Sequence, residues 1–257
     1  MERTTSKERT EYMIVKSNDL IQTAAFGLTN LEYALLNYTI MRIRPEDTSL
    51  RPQKINIQEF CKTVGISETD NYQTIKRAAK RLADKSVWAV IETKEGKKEK
   101  LVRWIEDPEI RRGMIIIQLK SYWEPFLIDL QERYTQMLLQ ETLPMKSVYG
   151  VRTYELLKSY LMNRKGPVTV RMTVDEYKRI LLGNDKYKKK YKEFQNFKKR
   201  VLTMAMKDLS EYGELNVTYK PVKEGYSYKY IDFTIEQRTL DEKLDIWKKE
   251  ENYFRKQ

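Results

Sequence analysis

Eight basic residues crowd one short stretch: Lys186, Lys188, Lys189, Lys190, Lys192, Lys198, Lys199 and Arg200, interleaved with Tyr187, Tyr191, Phe194 and Phe197. A charge run is usually just a solvated face, but the phase of this one says more. With Phe194, Phe197, Val201, Ala205 and Leu209 turned toward a core, Lys192, Asn196, Lys199, Arg200, Thr203 and Lys207 fall on the opposite side of a helix. Those side chains suit the major groove of duplex DNA. Arg200 can grip guanine O6 and N7 with two parallel hydrogen bonds, Asn196 can do the same to adenine, and Thr203 can meet a thymine methyl. Lys186, Lys188, Lys189 and Lys190 suit phosphates, which fix position and carry no sequence information. A second set has the same design with fewer charges: Gln73, Thr74, Arg77, Lys80 and Arg81 share one helix face, followed by Lys94, Lys97 and Lys98 in a charged turn. There a solvated helix face remains a competing reading.

Other chemistry is poorly supplied. Histidine is absent, which removes Ser-His-Asp and Cys-His catalysis, imidazole acid–base work at neutral pH and His-ligated zinc. Cys61 is the only cysteine, so neither an internal disulfide nor a cysteine-based metal cluster can form. It sits in IQEFCKTV, where a small buried thiol on a short helix is the expectation. The acidic group Glu106, Asp107 and Glu109 flanks Pro108 after a strand and reads as a turn before it reads as a Mg²⁺ site. No phosphate-binding loop of Walker A type occurs. We therefore expect a binding protein, not an enzyme, with no catalytic centre, metal or cofactor of its own.

The elements that must position these residues come in the same order twice. LTNLEYALLNYTIMRI, from Leu28, has helical periodicity, with Thr29 as N-cap and Glu32 completing a capping box. A short helix from Asn56 to Val64 closes at Gly65, and a stronger one, Asn71 to Ser86, puts Ile75, Ala78, Ala79 and Leu82 on its core side. VWAVIET and KLVRWIE then flank a charged glycine turn as a hairpin, with Met114 to Lys120 as a candidate third strand. In the second half, a helix from Val148 to Asn163 is stopped by RKGP, VTVRM leads into a helix capped by Thr173, and Gly183 closes it. The longest periodic segment, Tyr187 to Tyr212, is followed by strands joined across Pro221 to Gly225. The switch from Tyr226, Tyr228 and Tyr230 to Ile231, Phe233 and Ile235 predicts a bulged wing strand.

Helix, helix, basic helix, hairpin is the order of a winged helix-turn-helix. The predicted fold class is α+β and helix-rich: two tandem winged helix-turn-helix domains with β-hairpin wings. The expected division is 1–143, an N-terminal domain for accessory DNA contact or dimerisation; 144–237, the main sequence-specific domain; and 238–257, an amphipathic tail. Leu240, Leu244, Trp247 and Phe254 form that tail's apolar stripe, expected to pack on the second domain.

Whole-chain properties agree with a nucleic-acid partner. Lys+Arg 49 against Asp+Glu 37 leaves +12 over 257 residues, which favours polyanions. The longest aliphatic run, Met114 to Ile117, is far too short to span a membrane, and the first residues lack a signal-type apolar stretch, so a cytoplasmic protein is expected.

Three stretches carry a resemblance: YGVRTYELL (Tyr149 to Leu157), FKKRVLTMAMKDLSEYGELNVTY (Phe197 to Tyr219) and VKSNDLIQTAAFGLTNLEYALLNYTI (Val15 to Ile40). They resemble the iteron-binding initiator Rep proteins of theta-replicating plasmids, over roughly Val15 to Gln237. The resemblance implies two winged-helix domains, the second reading repeated origin sequences. It also implies a monomer that starts replication, a homodimer in equilibrium with it that represses its own gene, and partners among the host replication machinery. A winged-helix transcriptional regulator is the nearest rival. A tyrosine-dependent nicking enzyme and a single-stranded RNA binder stand further off, the former lacking histidine and the latter resting on the alternating wing tyrosines.

Overall fold

The protein is seen in a computed structural model that describes residues 13–66, 71–93, 96–161, 164, 166–184 and 186–255. They divide into two compact units: residues 13–20 with Thr29–Leu143, and Ile21–Leu28 with the chain from Pro144 onward. The expected division at 143/144 is thus crossed by one short segment. The reason is a buried arginine of the second unit. Arg152, 1% exposed, donates to the carbonyls of Ile21 (3.1 Å) and Ala24 (3.2 Å), lies 4.0 Å from the Phe26 ring centroid, and pairs with buried Glu155 at 2.8 Å.

In the first unit, β1 (Met13–Ser17) leads into α1 (Asn18–Thr23), whose last three residues already belong to the second. α2 (Asn30–Ile40) starts on the predicted capping box: the Glu32 amide donates to the Thr29 hydroxyl at 3.4 Å and the Thr29 amide to the Glu32 carboxylate at 3.0 Å. β2 (Gln53–Asn56) hands over to α3 (Ile57–Val64), where the Asn56 side chain accepts from the Glu59 amide and Gly65, at φ 70°, closes the helix in the left-handed region. α4 (Asn71–Asp84) buries Ile75, Ala78, Ala79 and Leu82. β3 (Ser86–Thr93) and β4 (Gly96–Arg103) form the hairpin, in register from Ser86 opposite Arg103 to Thr93 opposite Gly96.

After β5 (Glu109–Arg111) comes β6 (Met114–Ile117), and here the structure differs from expectation. β6 does not extend the hairpin; it lies between β2 and β5. Burial explains the choice: Ile115 stands opposite Ile55, and both are sealed from solvent. β7 (Tyr134–Leu138), unforeseen, pairs antiparallel with β1.

The second unit is built on α5 (Val148–Leu161), buried along nearly its whole length. β8 (Val168–Thr173) runs into α6 (Val174–Leu182), whose Glu176 amide donates to the Thr173 hydroxyl at 3.0 Å. Gly183 then ends α6 at φ 88°, ψ 158°, a region nearly reserved for glycine. A Cβ there would stand 3.1 Å from the Cα of Gly27, a tight approach to backbone that adds to the conformational preference for glycine.

The long predicted helix begins later than its periodicity suggests. Lys186–Lys190 form a turn, Tyr191 takes φ 54°, and helix runs only from residue 194 to 212, here called α7. The Lys190 amide still donates to the Lys186 carbonyl as one helical turn would, but Tyr191 in the left-handed region breaks the path before Phe194. α7 itself is α at Phe194–Phe197, π at Lys198–Leu202 and α again at Thr203–Tyr212. The wider turn carries an extra residue, and both Val201 and Leu202 point into the core with Phe197, Ala205 and Leu209.

β9 (Leu215–Glu224) and β10 (Ser227–Gln237) complete an antiparallel sheet of order β8-β10-β9. Its register slips between Tyr228 and Tyr230, the bulge that the change of alternation predicts. α8 (Leu240–Arg255) packs on α7, with two members of the expected stripe left exposed and Trp247 half-buried. Leu240 and Leu244 are 67% and 42% exposed, while Ile246 is buried and Asn216 of β9 donates to Glu242 at 3.1 Å. The side chain of Phe254 lies outside those described.

Candidate nucleic-acid interface

α7 holds its polar edge outward because its apolar edge is fully committed. Phe197 and Val201 are sealed against the core formed by Tyr177 and Phe233, with ring centroids 5.8 Å (Phe197–Tyr177) and 5.1 Å (Phe233–Tyr177) apart. Lys192, Asn196, Lys199, Arg200, Thr203 and Lys207 are all exposed. From Asn196 on they recur every three or four residues, one continuous edge of the helix. Lys199 and Arg200 make no hydrogen bond or ion pair among the described residues. The Asn196 amide donates to Glu193 at a long 3.4 Å, and Lys207 stands 3.8 Å from Glu211, an exposed pair of little strength. The edge is therefore available to a ligand.

Lys186, Lys188, Lys189 and Lys190 precede it on their turn, all exposed. The Lys190 amide donates to the Lys186 carbonyl at 2.8 Å, and the ammonium groups of Lys188 and Lys190 lie 5.6 and 5.1 Å from the Tyr187 and Tyr191 ring centroids. The interleaved tyrosines thus hold lysines instead of extending a helix. Tyr149 of α5 lies near Tyr191 and Lys190; burial raises its hydroxyl pKa, opposed by the Lys190 charge.

The β9–β10 wing adds cations that the sequence reading passed over. Lys220, Lys223 and Lys229 are exposed, and Tyr226 at the turn is wholly so. Lys229 pairs with Glu224, which raises the lysine pKa. Arg171 of β8 makes a bidentate pair with Asp232 of β10 at 2.6 and 2.8 Å, which holds the Asp232 carboxyl below its ordinary value. The signal for this wing is the lysine–tyrosine alternation of YKPVKEGYSYKY.

In the first unit, Gln73, Arg77, Lys80 and Arg81 are exposed on α4, while Thr74 is half-buried and withdraws from that edge. Arg77 donates to the Gln73 carbonyl at 3.3 Å and Lys80 pairs with Asp84 at 2.5 Å. Lys76, which the sequence reading left out, is exposed on the same helix. Lys97 and Lys98 occupy β4 opposite Glu92 and Ile91; Lys94 lies outside the described residues. Glu106 pairs with Lys120. Among the described residues no group of three or more His, Cys, Asp or Glu side chains could hold a metal, and no helix is long and apolar enough to cross a membrane.

Residues 13–158 match the family described as Initiator Replication protein, WH1, and residues 173–235 match Initiator Rep protein, WH2. The chain belongs to the initiator Rep protein family. Its two units are winged-helix domains, as the element order predicts. The PI protein of Escherichia coli is 27% identical to this initiator over 146 residues, 52% of this chain and 47% of that protein. The initiator thus matches about half the length of this curated relative. A crystal structure of Pi initiator protein in complex with iteron DNA superposes with a TM-score of 0.72 at 21% identity, covering 89% of this chain and 98% of that one. At that identity the likeness establishes the initiator's fold.

Proposed function

We propose that this initiator binds repeated double-stranded DNA sequences, iterons, at a plasmid origin, and that the second winged helix (144–237) does the reading. The observation that carries this is the α7 edge. Asn196, Lys199, Arg200, Thr203 and Lys207 project from a helix whose other side is locked into the core, with Lys192 exposed just ahead of it. Asn196 and Arg200 read bases, while Lys186, Lys188, Lys189 and Lys190 hold phosphates. The family fold and the iteron complex of its structural neighbour support the choice of DNA. The first domain (1–143) supplies accessory contacts through Gln73, Arg77, Lys80 and Arg81, or a dimer surface. The initiator works in the cytoplasm by binding and recruitment without catalysis, bringing host replication proteins to the origin and repressing its own gene as a homodimer.

Substitution separates the two kinds of contact. Arg200→Ala is expected to lower discrimination between iteron and random duplex by about 1–3 kcal/mol. Lys189→Ala is expected to weaken both duplexes alike and to reduce the log–log salt slope by about 0.9. Anisotropy titrations across a salt series measure both; equal effects of the two variants on the two duplexes would refute the assignment. Footprinting decides the biological role: protected tandem repeats support an initiator, and one protected promoter palindrome supports a regulator.

A further inference from the structure

Beside the α7 edge the second unit contains a cavity of about 660 Å³, within the roughly 300–1,000 Å³ of small-molecule sites. It lies between the start of α6, the start of α7 and the β9–β10 turn, and Asp175, Lys178, Lys192, Glu193, Phe194 and Tyr228 help to line it. Lys178 is the unusual member. It is only 5% exposed, yet it makes no hydrogen bond or ion pair among the described residues, and its ammonium stands 5.9 Å from the Phe197 ring centroid. A lysine without a paired anion attracts an anionic ligand. In a cavity wall, it calls for an anion from outside.

The rest of the lining narrows that anion. Asp175 and Glu193, both exposed, line the same space without an ion pair to Lys178, so a ligand that brings amino donors as well as an anion suits this lining better than phosphate alone. Phe194 and Tyr228 stack with ring centroids 4.5 Å apart at 28°, an aromatic platform that a planar ring would extend. Anion, planar ring and amino donors together describe a nucleotide. We propose that this cavity binds a nucleoside phosphate. The phosphate sits at Lys178, the base on the Phe194–Tyr228 stack, and the base's amino edge on Asp175 or Glu193. The nucleotide comes either free from solution or as an unpaired residue of a DNA strand, and the site goes beyond duplex reading by α7.

Two titrations of the full chain distinguish the sources. Calorimetry with dAMP and with inorganic phosphate tests the free nucleotide; anisotropy with a duplex carrying one bulged nucleotide, against its fully paired counterpart, tests the strand. Tighter binding of dAMP than of phosphate, or preference for the bulge, supports the site. Lys178→Met and Tyr228→Ala are each expected to weaken that binding about tenfold or more. Lys178→Met removes only a buried charge and is expected to fold. Its unchanged affinity for the paired duplex separates this site from the α7 reading. The proposal is overturned if the wild-type protein neither binds dAMP better than phosphate nor prefers the bulge, or if either binding survives both substitutions.

Discussion

At the scale of single residues, Gly150 and Asp208 depend on each other. Asp208 of α7 accepts the backbone amides of Lys146 (3.2 Å) and Ser147 (3.0 Å) just ahead of α5, and a Cβ on Gly150 would stand 2.4 Å from its Oδ2. Gly150→Ala must therefore displace the carboxylate, and a loss of about 1–3 kcal/mol in urea unfolding is expected. Asp208→Ala, which strands the same amides, is expected to cost as much, with the double variant well short of the sum. Burial raises the Asp208 pKa against the pull of those two amides. A carboxyl with a raised folded pKa takes up its proton more readily when folded, so its contribution to stability falls as pH rises from the ordinary carboxylate value through the raised one. Unfolding measured at stepped pH is expected to show wild type losing ground to Asp208→Asn across that window. Nothing in the local sequence announces this pair, because its members lie in different helices.

At the scale of elements, periodicity, caps and breakers were legible where neighbours in sequence decide the outcome. The Thr29–Glu32 box, the Gly65 stop and the bulge after Tyr228 are such cases. The apolar side of α7 was legible too, but not its start, since the periodicity of Tyr187–Lys192 says nothing of the left-handed backbone at Tyr191. The partner of β6 was equally hidden, because two apolar strands can pair wherever a core receives them. Cys61 on α3 is sealed, and burial raises its thiol pKa. Alkylation by iodoacetamide at pH 8 is expected to be negligible in the native protein and rapid in urea; rapid native labelling would contradict the packing of α3.

At the scale of the whole molecule, Arg152 decides which unit owns Ile21–Leu28. Arg152→Ala removes the buried pair with Glu155 and the contacts to the Ile21 and Ala24 carbonyls, and a loss of about 3–5 kcal/mol is expected. Chymotrypsin provides a second readout: Phe26 is buried beneath the guanidinium, so cleavage there is expected to be slow in wild type and fast in the variant. The sequence by itself determined the charge surplus, the lack of histidine chemistry, the twofold order of elements and the polar edge of α7. Each is a property of composition or of residues within a few turns of one another. Only the tertiary structure decided that Ile21–Leu28 joins the second unit, that β1 pairs with β7, that the β9–β10 wing carries exposed cations, and that Lys178 is buried at a cavity. Those outcomes depend on groups far apart in the chain competing for the same buried space, and no local pattern records who wins.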